Sequence, residues 1–155
     1  MTTPLYLIRH AKAGHREQWG EPDHLRPLTK SGRRQADALV PLFSKQRFYR
    51  LLSSPYVRCV QTLEPLAQSR GLHVETADEL AEGSSVGETV KLMLAVSAEG
   101  PAALSTHGDV MENVLDSLQS RGVEIAGPLE LRKGSTWIID VSNGGFERAR
   151  YVPPP

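Results

Sequence analysis

The chain has 155 residues, a length that suits one domain able to bury its own hydrophobic core. Lysine plus arginine and aspartate plus glutamate number 18 each, so the sequence lacks the broad basic field that favours nucleic acid or an anionic membrane. Cys59 is the only cysteine, which excludes an internal disulfide and a cysteine-based zinc cluster. We therefore expect no nucleic-acid partner and no membrane partner, and any bound anion must be held by a local site.

Neither end of the chain carries a recognisable targeting segment. Residues 1–4 lack the basic region and the apolar stretch of a secretion signal, and no later segment is apolar over the length of a membrane span. We therefore expect a cytoplasmic protein. The sequence has no internal repeat, and it predicts a single domain over residues 1–152 with the prolines at 153–155 as a frayed tail.

The first predicted element is an apolar run at residues 5–8, which is followed at once by Arg9 and His10. The run is too short for a typical helix and is bounded by Pro4, which indicates a buried strand. Ligands of open α/β sheets bind at the carboxyl ends of the strands, and a guanidinium beside an imidazole favours a phosphate or carboxylate there. Taken alone, however, an Arg-His pair is also common on a solvated loop.

The segment 12–27 is a long polar connection that contains Trp19, His15 and His24. A connection of this length directly after a candidate site is typical of a lid or recognition loop, although a mobile surface excursion has the same composition. Together with His10, the two histidines of this segment raise the alternative of a metal site. Their spacing matches none of the compact patterns of zinc sites, so we expect no metal.

The remainder of the chain alternates predicted helices with predicted strands. The hydroxyls at Thr29 and Ser31 favour a helix N-terminus, and Asn143-Gly144-Gly145 favours a hairpin turn. The predicted helices cover residues 33–40, 57–69, 90–96 and 110–118. The predicted strands cover residues 50–55, with a turn at Pro55, and residues 73–76, 101–106, 136–141 and 146–152. This alternation predicts an α/β fold, a three-layer α/β/α sandwich with a mainly parallel central sheet.

Three separate residues are expected at one edge of that sheet. Arg58 lies near the N-terminus of the second predicted helix, where free backbone N–H groups and a guanidinium make an anion-binding position, unless the side chain is merely exposed on the first turn. His107 directly follows the strand at 101–106. Because the carboxyl ends of parallel strands meet at one edge, His10, Arg58 and His107 are expected to converge.

Taken together, the motifs resemble the histidine phosphatase superfamily, which has the phosphoglycerate-mutase-like fold. The motifs that carry the resemblance are Leu7-Ile8-Arg9-His10-Ala11, Leu28-Thr29 with Gly32 and Gln35-Ala36, Ser53-Ser54-Pro55 with Arg58 and Gln61-Thr62, and Thr106-His107-Gly108. Their order and spacing are jointly specific. The Arg-His-Ala form, the small size and the Arg26-Pro27-Leu28-Thr29 stretch are most similar to the compact phosphohistidine-phosphatase branch. They also resemble the phosphatase domain that is fused to some Nudix hydrolases.

The resemblance implies that His10 is a nucleophile that becomes a transient phosphohistidine. It implies that Arg9, Arg58 and His107 bind the transferred phosphoryl group. Two guanidiniums and an imidazolium can supply the positive charge that a metal ion supplies elsewhere, so neither a metal nor a cofactor is expected.

The acid/base carboxylate is the least determined part of this expectation. The resemblance assigns it to Glu82, in an acidic segment, with Glu79 and Asp109 as alternatives. The expected activity is hydrolysis of a small phosphorylated substrate or of a phosphohistidine protein. The alternative is a regulatory module of the same fold that binds phosphate with little turnover, and the oligomeric state stays open.

Overall fold

The computed structural model describes all 155 residues. The strands are β1 (Thr3–Arg9), β2 (Arg50–Ser53), β3 (Val74–Thr76), β4 (Ala102–Thr106), β5 (Glu124–Ala126), β6 (Thr136–Ser142) and β7 (Gly145–Val152). The α-helices are α1 (Lys30–Leu42), α2 (Val57–Arg70), α3 (Val86–Ser97) and α4 (Gly108–Ser120). Single 3₁₀ turns lie at Arg16–Gln18, Asp23–Leu25 and Asp78–Leu80.

The seven strands form one sheet in the order β3-β2-β4-β1-β6-β7-β5. Strands β1, β2, β3 and β4 are parallel, whereas β6 runs antiparallel to both β1 and β7. The prediction of a mainly parallel sheet is confirmed, with the terminal hairpin added antiparallel to it. Strand β5 was not predicted, because three residues are too few to show a periodic pattern; it pairs in parallel with β7.

The side chains of β1 alternate between two hydrophobic clusters, one on each face of the sheet. Leu5 and Leu7 pack with α3 and α4, while Tyr6 and Ile8 pack with α1 and α2. Each fully buried side chain of this kind stabilises the fold by roughly 1.5–3 kcal/mol. Two helical layers therefore enclose the sheet, which confirms the three-layer expectation.

Helix α1 begins where the sequence predicts a cap. The hydroxyl oxygen of Thr29 accepts a hydrogen bond from the backbone N–H of Gly32 at 3.0 Å. Pro41 lies in the last turn of the helix. Helix α3 begins at Val86 rather than at residue 90, because Ser85 caps it and accepts from the N–H of Glu88.

The hairpin between β6 and β7 turns at Asn143 and Gly144, as predicted. Both residues have positive φ, 52° and 73°, which is the conformation that a two-residue turn of the favoured hand requires. No helix of this structure combines the length and the apolar character that crossing a membrane requires.

Candidate active site

The register of β1 and β4 brings the two predicted histidines together. Arg9 is paired with Thr106, and the N–H of His10 donates to the carbonyl of Thr106 at 3.0 Å. His10 and His107 each follow their strand directly, and their ring centroids lie 5.6 Å apart. Strands β1 and β4 are parallel neighbours that end at the same level of the sheet. This alignment places His10 beside His107.

A cavity of about 170 Å³ opens at this edge of the sheet, and no apolar side chain lines it. Its lining residues are Arg9, His10, Arg16, Arg26, Arg58, Glu82, His107, Gly108, Asp109 and Lys133. All five site residues expected from the sequence are therefore in one place. Arg26 and Lys133 were not predicted as site residues.

His10 is 5 % exposed, and its ring is oriented by a main-chain acceptor. Nδ1–H donates to the carbonyl oxygen of Ala11 at 2.8 Å, which leaves the lone pair on Nε2. Burial lowers the pKa of His10 to about 3, and the nearby charges of Arg58 and Arg9 act in the same direction. At neutral pH the imidazole is therefore uncharged and has a free nucleophilic nitrogen.

The ring of His107 is hydrogen-bonded to a buried hydroxyl. Its Nε2 lies 2.8 Å from the hydroxyl oxygen of Ser54, which also accepts the N–H of Tyr56 at 3.2 Å. Because a hydroxyl has one hydrogen and two lone pairs, Ser54 can accept from Tyr56 and still pair with either tautomer of the His107 ring. Burial, followed by the charge of Arg58, lowers the pKa of His107 to about 4. The expected imidazolium is therefore a neutral imidazole in this structure, because burial disfavours its charge.

Arg58 is 1 % exposed, so the alternative of an exposed first turn is wrong. Its Nη1 donates to the main-chain carbonyl of Asp23 at 3.0 Å and its Nη2 to the carboxylate of the same residue at 3.1 Å. Arg9 is fixed by a 2.6 Å hydrogen bond from Nη1 to the carbonyl of Leu131. The Nε atoms of Arg9 and Arg58 are buried without a partner. Each terminal nitrogen of a guanidinium carries two N–H donors, so Nη1 and Nη2 of Arg58 each keep one beyond the contact with Asp23.

Asp23 connects three arginines on the polar segment after β1. Its carboxylate oxygens lie 3.4 Å from Arg16, 3.0 Å from Arg26 and 3.1 Å from Arg58. Partial burial raises the pKa of Asp23, but the hydrogen bonds and charges of Arg26 and Arg58 outweigh it, and the net shift is downward. The segment 12–27 therefore forms one wall of the cavity. Sequence reasoning missed Asp23, since an acidic residue in a polar loop has no distinctive pattern.

Of the three candidate acid/base carboxylates, two line the cavity. Glu82 Oε1 lies 3.0 Å from Nη2 of Arg16 and 3.6 Å from Nη2 of Arg58. Asp109 accepts the backbone N–H of Gly83 at 2.9 Å. Glu79 is not among the lining residues.

The turn that carries Lys133 is attached to the predicted nucleophile. The N–H of Gly134 is directed at two main-chain carbonyls, 3.1 Å from that of Arg9 and 3.2 Å from that of His10. Gly134 has φ of +82°, a conformation that favours glycine. Because these hydrogen bonds are tertiary, no local sequence pattern marks Lys133 as a site residue.

The two loop histidines lie outside this cavity. His15 and His24 are absent from its lining, and the ring of His24 packs near that of Tyr56 at 6.3 Å. No group of three or more His, Cys, Asp or Glu side chains in the structure is arranged to hold a metal ion.

The fold and the cavity define a small α/β protein that holds a neutral histidine beside donors for an anion. The family model described as histidine phosphatase superfamily (branch 1) matches residues 5–91, more than half of the chain. The chain belongs to the histidine phosphatase superfamily. The expectation drawn from the motifs is thereby confirmed.

Several known proteins are similar to this chain. The 8-oxo-(d)GTP phosphatase of Mycolicibacterium smegmatis is 31% identical over 158 residues, an alignment that covers 99% of this chain and 49% of that protein. The chain thus spans about half the length of this relative. The protein histidine phosphatase SixA, complexed with tungstate, has a TM-score of 0.74 at 22% identity and covers 94% of this chain and 95% of that chain. YhfR of Bacillus stearothermophilus has a TM-score of 0.77 at 16% identity and covers 94% of each. These two structures share the fold.

Proposed function

We propose that this protein hydrolyses a phosphomonoester or a phosphohistidine through a phosphohistidine intermediate on His10, without a metal ion. The observation that carries the proposal is the state of His10. Its Nδ1–H is occupied by the carbonyl of Ala11, and burial keeps the ring neutral, so Nε2 carries the lone pair that attacks phosphorus.

In the first step, Nε2 forms a bond to phosphorus while the bond from phosphorus to the leaving group breaks. The leaving group takes the electron pair of the broken bond. The guanidiniums of Arg9 and Arg58 and the ring of His107 line the same cavity as His10, where they can bind the phosphoryl oxygens. Since these donors are held in place before the substrate arrives, little reorganisation opposes the reaction.

In the second step, water attacks the phosphohistidine, and the electron pair of the breaking P–N bond returns to Nε2. A base must take the proton of the water. Glu82, a carboxylate ion-paired with Arg16 and Arg58 at the cavity, suits that role. For an alkoxide leaving group, Glu82 must also deliver a proton in the first step, so it alternates between acid and base. Asp109 is the remaining alternative, since it lines the same cavity.

No metal ion is needed for this reaction, because the protein supplies the positive charge that the phosphoryl group requires. A phosphoryl group mainly requires positioning and stabilisation of its oxygens, and guanidiniums provide both. The cavity is polar throughout, which fits a small phosphorylated substrate or the phosphohistidine of a protein.

The test is to trap the intermediate in the presence of EDTA. Wild-type protein mixed with ³²P-labelled substrate and quenched in alkali should carry phosphate that is stable to base and labile to acid. His10→Ala should lose both the label and the turnover. His73→Ala is the matched control, because His73 is exposed and does not line the cavity.

Two outcomes would contradict the proposal. Turnover without any labelled protein would exclude the covalent route. Binding of vanadate or phosphate without turnover of p-nitrophenyl phosphate would favour the regulatory phosphate-binding module instead.

A further inference from the structure

Lys133 lies on a turn whose main chain is held beside that of His10, and its side chain is exposed and lines the cavity. The next residue, Gly134, is hydrogen-bonded through its N–H to the main chain of Arg9 and His10. The amide of Gln35 adds a second attachment, since it accepts the N–H of Lys12 at 2.9 Å and donates to the carbonyl of Lys133 at 3.4 Å. The main chain at Lys133 is therefore fixed relative to that of His10.

The surroundings of Lys133 are positively charged. It forms no ion pair with any carboxylate. Burial lowers the pKa of Lys133, and the charges of Arg9, Arg26 and Lys12 lower it further. Folding thus places Lys133 among like charges without an ion-pair partner of its own, an arrangement that costs stability and is typical of functional sites.

Arg26 supplies a second cation to the same part of the cavity. Its side chain is only 7 % exposed. Nε donates to the carboxylate of Asp23 at 3.0 Å, and Nη1 donates to the carbonyl of Gly14. These bonds orient the guanidinium and leave Nη2 without a protein partner.

Arg26 and Lys133 are in excess of what one phosphoryl group needs. Arg9, Arg58 and His107 already supply donors from strand ends and from a helix N-terminus. The carboxylates of the lining, Glu82 and Asp109, come from elsewhere in the chain and pair with Arg16 and with the N–H of Gly83. The charge of Lys133 is thus left for a ligand.

We propose that Arg26 and Lys133 form a second anion subsite, which binds a second phosphate adjacent to the phosphoryl group that His10 receives. This inference rests on the proposed function for the position of the first group. The substrate class that fits is a phosphoanhydride, which differs from the substrates of the proposed function in its leaving group, itself a phosphate or a phosphate ester. Both subsites line one cavity of about 170 Å³, which requires the two phosphorus atoms to be close.

Transfer from a phosphoanhydride does not require a proton from Glu82, whose carboxylate is ion-paired with Arg16 and Arg58. In the transfer step, the P–O bond of the anhydride breaks and the bridging oxygen leaves on the second phosphate with the electron pair. A phosphate is a weak base and departs without a proton, so an ion-paired Glu82 need not act as an acid. Arg26 and Lys133 stabilise the negative charge that develops on the departing phosphate.

Binding of non-hydrolysable analogues tests the subsite independently of turnover. Isothermal titration calorimetry would compare methylphosphonate, methylenediphosphonate and 1,3-propylenediphosphonate, which present one phosphonate, two adjacent phosphonates and two distant ones. Wild-type protein should bind methylenediphosphonate about 10-fold or more tightly than methylphosphonate, because of two added charge-assisted contacts. The affinity of 1,3-propylenediphosphonate should exceed that of methylphosphonate by much less.

Lys133→Gln should reduce this preference for methylenediphosphonate by about 10-fold, and Lys133→Arg should restore most of it. Lys91→Gln is the matched control, because Lys91 is an exposed lysine on α3 that does not line the cavity. Circular dichroism would check that each variant is folded.

The remaining outcomes each contradict the inference. Equal affinity of the wild type for one and two phosphonates, or an unchanged preference in Lys133→Gln, would exclude the second subsite while leaving the proposed function intact. Tighter binding of the longer analogue would assign the subsite to a bisphosphate rather than an anhydride. Failure to bind any phosphonate would overturn the phosphoryl site and the subsite together.

Discussion

Arg58 is bound by Asp23 through both the main-chain carbonyl and the carboxylate, at 3.0 and 3.1 Å. The two contacts use both terminal nitrogens and leave Nε as a buried donor without a partner. The orientation of this guanidinium in the cavity is thus determined by a residue that does not line the cavity itself.

Arg58→Ala should lower kcat/KM by about 10²–10³-fold, as loss of a preorganised donor does elsewhere. Arg58→Lys should recover little, since the compact ammonium cannot reproduce the planar guanidinium that contacts Asp23 through two separate nitrogens. Steady-state kinetics with p-nitrophenyl phosphate would measure both. Near wild-type kinetics in Arg58→Lys would place the guanidinium outside the reaction.

Asp23→Asn should lower kcat/KM by about 10-fold, because the main-chain carbonyl still orients Arg58 but the charge that holds Arg26 and Arg58 is lost. Urea denaturation should show a stability loss of about 1–3 kcal/mol, since buried cations lose their counter-charge. Asp37→Asn on α1 is a suitable control, because Asp37 forms no ion pair. Equal effects of the two variants would contradict the role of Asp23.

Gly108 lies against the guanidinium of Arg9. A Cβ at this position would come within 2.9 Å of Cζ and 3.1 Å of Nε of that side chain. Because the obstacle is the end of a flexible side chain, Gly108→Ala should leave stability nearly unchanged. Displacement of Arg9 should nevertheless reduce kcat/KM by about 10-fold to 10²-fold.

Gly87→Ala provides the comparison, since Gly87 also lies in the first turn of a helix but has no atom within 4 Å of an added Cβ. Its activity should equal that of the wild type. Parallel thermal melts and kinetics would separate the two effects, and a large loss of stability without an activity defect in Gly108→Ala would contradict the prediction.

Glu82→Gln should affect substrates according to their leaving groups. An alkoxide is a strong base that needs a proton, so hydrolysis of alkyl phosphates should slow by about 10²–10⁴-fold. Nitrophenolate and a phosphohistidine imidazole leave more readily, and their transfer should slow much less. Single-turnover rates of phosphoryl transfer would measure this without the hydrolysis step.

Equal losses on all three substrates would exclude Glu82 as the leaving-group acid. The same series on Asp109→Asn would then show whether the second carboxylate of the cavity is the donor. Glu79→Gln should behave as the wild type, because Glu79 does not line the cavity.

Stability should fall as the pH is lowered, because two buried histidines stay neutral in the folded protein. The pKa values of His10 and His107 are about 3 and about 4, below the ordinary value of 6.5. Below about pH 6.5 the unfolded chain therefore binds protons that the folded protein does not, which favours unfolding. Each histidine should lower the free energy of unfolding by about 2 kcal/mol between pH 7 and pH 5.

Urea denaturation across this pH range would measure the effect, and His10→Gln should remove about half of it. A pH dependence that is the same in His10→Gln and in wild type would show that His10 is not neutral by burial.

The part of the site that was predictable from the sequence is the part fixed by regular structure. His10 and His107 follow short apolar strands, and the register of parallel strands then places them side by side. Arg58 was predictable because it begins a helix after a strand and a turn. Its burial was not, because that depends on Asp23 in a distant loop.

The residues that were missed lie on turns whose conformation is set by tertiary hydrogen bonds. Lys133 reaches the cavity because Gly134 is bound to the main chain of Arg9 and His10. Arg26 does so through Asp23 and the carbonyl of Gly14. Such contacts leave no periodic signal along the chain.

His10 and Asp23 belong to regions of very different local stability. His10 follows a central strand hydrogen-bonded on both sides, whereas Asp23 lies on a short 3₁₀ turn in a mostly exposed segment. Segments of the second kind open by local unfolding at a small fraction of the global free energy. Each opening would release Arg16, Arg26 and Arg58 from their shared carboxylate while the sheet stays folded. A low concentration of denaturant should therefore abolish activity before the protein unfolds globally.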